Sequence, residues 1–242
     1  MKNNLIKSYA KINITLNVLG RNKNRFHKIK SIFSFIKLYD RIFIKKVNTK
    51  KHIVKFFGPF SKNLKNNSIL QLLSILEKNK FLKNKYKITV TKNIPQKSGL
   101  GGGSMNAASI LRYFLKKKII NLLKKELTNI CNEIGSDVLL GLDQKNSILI
   151  KNNIKKYNKK IGLFVVLIKP NFGCSTKKIY SKVTNFSNNN TKVSNNVFKI
   201  ENLKTESNDL EKPAFKLYPN LIKIKSFLES LEGVEFARMT GS

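Results

Sequence analysis

The chain has 242 residues, 41% of them hydrophobic and 10% aromatic, which is enough apolar material to bury a core and excludes a disordered chain. Its 48 Lys and Arg against 13 Asp and Glu give a formal charge of +35, yet the lysines are scattered along the whole length, commonly beside Asn, with no nucleic-acid-binding motif. The charge is therefore read as compositional, of the kind an A+T-rich coding sequence produces; selected polyanion binding is the alternative, and no specific nucleic-acid partner is expected. Cys131 and Cys174 lack CxxC spacing and a second pair, which argues against a disulfide framework and a zinc site, and both thiols are expected to be reduced. The basic amino terminus runs into an alternating segment where a signal peptide needs a continuous apolar run, and no stretch has the length of a membrane span. A cytoplasmic protein with no membrane partner is expected.

From Lys11 to Val18 the chain alternates, with Ile12, Ile14, Leu16 and Val18 on one face of a strand and Lys11, Asn13, Thr15 and Asn17 on the other. By themselves Lys11 and Asn13 would be a plain solvated face. A polar turn, Arg21 to Arg25, leads through Phe26-His27 to Ile29, Ile32, Phe33, Phe35, Ile36 and Leu38, which read as a buried strand. Further strands are expected at Arg41 to Lys46 and Ile53 to Phe57. Asn67 or Ser68 caps a helix whose Ile69, Leu72, Leu73 and Leu76 recur at helical spacing.

Tyr86, Ile88 and Val90 alternate along the next strand, which passes Ile94-Pro95 and reaches Gly99-Leu100-Gly101-Gly102-Gly103-Ser104. A helix follows directly, with Ala107, Ala108, Leu111, Phe114 and Leu115 on one face and Ser104 placed to cap or open it. Strand, glycine loop and helix together leave backbone N–H groups free where the helix dipole favours anions, and glycine lets the backbone approach a phosphate closely. Triphosphate binding is the natural use. No Gly-Lys-Ser/Thr closes the loop, so it is not a Walker A loop, and its spacing is not that of a dinucleotide fingerprint.

Leu123, Leu127, Ile130, Cys131 and Ile134 mark another helix, ended by Gly135, and Asp137 taken alone reads as a cap for the next turn. A domain boundary is expected near Lys151 to Lys160, dividing the chain into 1–155 and 156–242. Ile161 to Ile168 reads as a buried central strand, and Asn185 to Asn196 as a low-complexity, mobile surface loop. Leu221, Ile224, Phe227, Leu228 and Leu231 mark an amphipathic helix, followed by a strand from Val234 to Ala237. The class is α+β.

Several of these segments, in order, resemble the motifs of the GHMP kinase superfamily, and of its branch acting on an alcohol that carries a cytidine diphosphate group. Ala10-Lys11-Ile12-Asn13-Ile14 looks like the first motif, Phe26-His27 like the Tyr-His that follows it, and Ile94-Pro95 through Ala108 like the ATP loop. Gly135-Ser136-Asp137-Val138 resembles the catalytic aspartate motif. Ser175-Thr176 with Tyr180 resembles a substrate-side segment, Asn208-Asp209-Leu210 another landmark, and Met239-Thr240-Gly241-Ser242 the start of a third motif.

The resemblance implies a ribosomal-S5-domain-2-like first domain and a ferredoxin-like second. It implies that Asp137 accepts the proton of the substrate's C2 hydroxyl while Lys11 orients it and offsets charge on the transferring phosphoryl group. It puts ATP against Pro95, Lys97, Ser98, Gly99, Leu100, Gly101, Gly102, Gly103 and Ser104, with Asn67 on the adenine side. Substrate falls to Asn13, Phe26, His27, Thr176 and Tyr180, His27 and Tyr180 holding the cytosine ring. Mg²⁺ accompanies ATP, with Ser104 a candidate ligand and no metal site made by the protein alone. The product would feed isoprenoid synthesis, and a monomer or homodimer is expected. The alternatives are a GHMP kinase for another small alcohol, or an inactive basic RNA-binding protein on the same scaffold.

The chain departs from the pattern in places. Phe26 stands for the usual Tyr, Arg25 for a turn glycine, Met105 for a small residue, and Leu139-Leu140-Gly141 for the common Pro-Phe-Phe. It stops inside the third motif, where the family continues through another strand and helix, so the second domain is expected to be truncated.

Overall fold

The structure is a computed structural model that describes residues 5–21, 27–62, 64, 67–151, 153–158, 161–188 and 196–241. Arg25, Phe26 and most of the Asn185 to Asn196 segment lie outside the described residues. In chain order the elements are β1 (Leu5–Asn13), β2 (Asn17–Arg21), β3 (His27–Val47), β4 (Ile53–Phe57), α1 (Ser68–Lys78), β5 (Lys85–Thr91), α2 (Gly102–Lys116), α3 (Lys124–Ile134), α4 (Val138–Gly141), β6 (Asn146–Ile150), β7 (Asn153–Tyr157), α5 (Thr176–Ser181), α6 (Ile200–Thr205), α7 (Glu211–Leu217) and α8 (Asn220–Glu229). They fall into two compact units, one of residues 1–11, 35–96 and 100–145, the other of residues 12–34, 97–99 and 146–242.

In the first unit β5 lies between β4, paired parallel from Ile53↔Lys87 to Phe57↔Thr91, and the second part of β3, paired antiparallel from Arg41↔Thr91 to Val47↔Lys85. Alternation decides the faces. Ile42, Ile44, Ile88 and Val90 are buried against the helices, whereas Phe43, between two of them, is exposed. The predicted apolar stripes of α1 and α2 meet this sheet through Leu72, Leu76, Leu111 and Phe114. Cys131 is buried in the same core, which pushes its thiol up to about 11 and keeps it protonated at neutral pH.

A Cβ built on Gly141 would sit 2.7 Å from Ala108 Cβ, 2.9 Å from Met105 Sδ and 3.0 Å from Met105 Cε, so α2 packs against the end of α4 at a distance that leaves no room for a side chain at 141.

In the second unit the first part of β3 pairs with β2 on one side and β6 on the other, and β7 follows β6 as an antiparallel hairpin. Leu16, Val18, Ile179, Val183, Leu210 and Ala214 form the core. Asp209 acts as a clasp: its N–H donates to Leu16 O at 2.8 Å and its Oδ2 accepts from Val18 N and Ser187 Oγ, both at 2.7 Å. The last described segment is pinned likewise. Arg238 donates to Ile14 O at 2.8 Å and Leu203 O at 3.0 Å, Asn208 Nδ2 to Met239 O at 2.8 Å, and Met239 N to Glu211 Oε1 at 2.7 Å.

Four local expectations are corrected. Ile161 to Ile168 and Val234 to Ala237 form no strand, and Phe164 and Val166 are exposed, at 106% and 82%. An apolar run becomes a strand only when neighbouring backbone groups pair with it, and among the described residues none does. Helix α8 forms where its periodicity places it but buries no residue. Finally, α2 opens at Gly102 with Gly101 as its N-cap in the left-handed region, φ 69°, so Ser104 lies inside the first turn and does not cap it.

Candidate functional site

In the first unit residues 100–104 of the glycine loop lead into α2. Lys11 N, near the end of β1, donates to Leu100 O at 3.1 Å, and Met105 N closes the first helical bond to Gly101 O at 2.8 Å. The N–H groups of Gly102, Gly103 and Ser104 precede that bond, so no turn of α2 satisfies them, and the helix dipole adds partial positive charge there. Leu100 is buried and anchors the loop by packing. Lys97 is exposed, with φ 51° in the left-handed region.

The side chain of Lys11 runs past Gly101: a Cβ there would lie 3.0 Å from Lys11 Cγ and 3.2 Å from its Cε. It ends with Nζ 3.3 Å from Asp137 Oδ2. Lys11 is 5% exposed, while the Asp137 side chain is 30% exposed, so the carboxylate keeps a face toward solvent beside a nearly buried ammonium. Asp137 occupies the N-cap position of α4, yet its side chain makes no capping bond. The cap reading fails, and the carboxylate is turned to Lys11 instead. The α3–α4 turn also lies beside α2, because a Cβ on Gly135 would sit 3.7 Å from Ser104 Oγ.

An open groove runs along α1 to the start of α2, lined by Asn67, Ser68, Gln71, Ser74 and Gly103 among others. Asn67 is at its rim, but its side chain is committed to the helix. Oδ1 accepts from Ile69 N at 3.0 Å and Leu70 N at 3.1 Å, and Nδ2 donates to Leu64 O at 2.9 Å. Pro95 is half-buried at the start of the loop. Among the described residues no group of three His, Cys, Asp or Glu could hold a metal ion.

The second unit contains the remaining candidates. Asn13 is buried, its N–H donating to Thr240 Oγ1 at 2.8 Å and its Nδ2 to Ser31 Oγ at 2.9 Å. Ser98 precedes Gly99, where a Cβ would collide with the Thr240 carbonyl oxygen and lie 3.2 Å from Gly241 Cα, so only glycine admits this approach. That partner, Thr240-Gly241, could not be paired with Gly99 from local sequence signals. His27 opens β3, its ring centroid 4.8 Å from that of Tyr180 on α5 with the planes 35° apart. Among the described residues His27 Nε2 is buried with no hydrogen-bond partner. Burial, with the charge of Arg21, holds the His27 pKa below 6.5, so the ring is neutral at pH 7. Thr176 is exposed at the start of α5, and Tyr180 packs in part on the core of its unit.

Gly101→Ala tests the first arrangement. The new residue would hold a left-handed φ, costing about 1 kcal/mol, and its Cβ would press the Lys11 side chain aside. The expected result is about fivefold weaker triphosphate binding if that strain is felt in the bound loop, since 1.4 kcal/mol is a factor of ten, read by calorimetric titration. Unchanged binding would mean that Lys11 and the loop are not coupled.

The family model described as the GHMP kinases N terminal domain matches residues 67–146, a span that contains the glycine loop and Asp137. A 4-diphosphocytidyl-2-C-methyl-D-erythritol kinase of Pelagibacter ubique (strain HTCC1062) is 51% identical over 241 residues, 98% of this chain and 85% of that protein. The kinase of the same name from Petrotoga mobilis (strain DSM 10674 / SJ95) is 31% identical over 252 residues, covering 98% and 95%. Among solved structures, a crystal structure of 4-(cytidine 5'-diphospho)-2C-methyl-D-erythritol kinase aligns with TM-score 0.72 and 24% identity, over 98% of this chain and 86% of that one.

Proposed function

The chain belongs to the family of 4-diphosphocytidyl-2-C-methyl-D-erythritol kinases, which are GHMP kinases, and from that premise we propose how its own residues carry out the reaction. It is an ATP-dependent kinase that phosphorylates the 2-hydroxyl of 4-diphosphocytidyl-2-C-methyl-D-erythritol, a step of the methylerythritol phosphate route to isoprenoids. The observation that carries the mechanism is the ion pair of Lys11 with Asp137, formed where the Lys11 stem passes Gly101 at the start of α2.

Phosphoryl transfer to an alcohol needs a base for the hydroxyl and positive charge around the transferring group, with little covalent machinery besides. Asp137 takes the proton of the 2-hydroxyl as its oxygen bonds to the γ-phosphorus, and the bond from that phosphorus to the bridging oxygen breaks to leave ADP. Lys11 holds the carboxylate in place and offsets charge on the transferring group, while the N–H groups of Gly102, Gly103 and Ser104 hold phosphate oxygens. Ser104 would offer a hydroxyl to a Mg²⁺ ion accompanying the triphosphate, which would supply positive charge to the phosphate oxygens.

His27 and Tyr180 take the cytosine ring, one by hydrogen bonding and one by its aromatic face, with Asn13, Phe26 and Thr176 toward the rest of the substrate. The buried Nε2 of His27, with no partner among the described residues, supports that reading, because a polar atom in such a setting is costly until a ligand meets it. No described helix is long and apolar enough to cross a membrane. A cytoplasmic setting is part of the proposal, in keeping with ATP as co-substrate.

The test is ATP consumption with 4-diphosphocytidyl-2-C-methyl-D-erythritol, with CMP as competitor, for the parent and His27→Ala. CMP should compete in the parent. The variant should raise KM for the cytidine-bearing substrate about tenfold, the worth of one buried hydrogen bond, with KM for ATP unchanged. Because burial lowers the His27 pKa, any acid-side change in the parent's KM for that substrate should set in at a lower pH than for an unperturbed imidazole. Equal turnover of an alcohol lacking cytidine, indifferent to CMP, would sink the substrate assignment.

A further inference from the structure

Asp40 lies inside β3 and is fully buried, one of few acids in a strongly basic chain. Its carboxylate is saturated by four donors. Oδ1 accepts from Asn93 N at 2.7 Å and Ile94 N at 2.9 Å, the two residues that lead into the glycine loop. Oδ2 accepts from Asn106 Nδ2 at 2.9 Å, in the second turn of α2 beyond that loop, and pairs with the ammonium of Lys92. We infer that Asp40 is a positioning residue for ATP, tying the entry of the phosphate loop to its exit. The inference rests on the kinase reading above.

Two further observations separate this from ordinary packing. Lys92 Nζ would lie 3.2 Å from a Cβ on Gly102, so the cation sits beneath the first residue of α2, where the helix dipole already concentrates positive charge. Asp40 neutralises it there. Asn106 is buried with Oδ1 unpartnered among the described residues. Its amide can face Asp40 only through Nδ2, because two oxygens would repel, so the unpaired acceptor is the consequence of tying α2 to the carboxylate. An apolar residue would suit a site whose task was only to fill the core.

The experiment uses the full chain and measures ATP affinity by calorimetry without the second substrate, then both KM values, each variant assayed below its own melting transition. Asn106→Leu removes the tie to α2 and the unpaired acceptor without touching charge. Asp40→Asn/Lys92→Met removes both charges together, so no buried lysine is left without its counterion. Expected are ATP affinities at least fivefold weaker in the first and tenfold weaker in the second, with KM for the cytidine-bearing substrate within twofold of the parent. ATP affinity within twofold of the parent in either folded variant would overturn the inference. So would equal rises in both KM values, which would indicate general loosening. A parent that fails to bind ATP would instead defeat the kinase reading itself.

Discussion

Asp137→Asn is expected to lower kcat by about a thousandfold while leaving ATP affinity within a few fold, because a positioned general base contributes roughly 10²–10⁴. The amide keeps the size of the carboxylate and can still approach Lys11, so the backbone around Gly135 and Val138 has no reason to move. It cannot accept the hydroxyl proton and stay neutral, which confines the loss to the chemical step. The distinction lies in separating binding from chemistry: calorimetric titration with ATP, then a single-turnover measurement with saturating alcohol. A kcat within tenfold of the parent would mean that the proton leaves by another route and that Asp137 serves only to hold Lys11.

Lys11→Met should come close behind, with kcat lower by about 10²–10³, the usual cost of deleting one preorganised group that stabilises transition-state charge. Methionine retains an apolar stem against Gly101, so the loop keeps its support while the ammonium disappears. Lys11→Arg is the informative companion. The charge remains, but the planar guanidinium is larger and has to pass Gly101, where an added Cβ would already lie 3.0 Å from the lysine stem, so activity should recover only in part. A rise in KM for ATP at constant kcat would assign Lys11 to ground-state binding and remove it from the transition state.

These expectations rest on different kinds of information. The strand β5, the helices α1 and α2 and the glycine loop between β5 and α2 were legible in the sequence, because each follows from a local rule. Alternation sets the faces of Ile88 and Val90, helical spacing gathers Leu72 and Leu76, and Asn67 caps α1 through its own neighbours. Runs of glycine likewise announce left-handed backbone, observed at Gly99 and Gly101. The kinase reading was legible for a related reason, since motifs are short and their order survives in the chain.

What lies beyond those rules came from tertiary structure. Asp137 taken alone resembled a cap, and only the fold that brings Lys11 to 3.3 Å makes it half of an ion pair. His27 and Tyr180 are ordinary as single residues and meet only when β3 and α5 pack in their unit. Asp40 gave no signal, because nothing local shows that Asn93, Ile94, Lys92 and Asn106 will converge on it. The apolar run from Ile161 to Ile168 fails in the opposite sense: composition marks it for burial, but a strand needs partners that composition does not supply. Periodicity, caps and glycine conformations are set within a few residues and can be read in the chain itself, whereas ion pairs, ring contacts and strand pairing depend on groups distant in sequence, whose meeting is decided by packing.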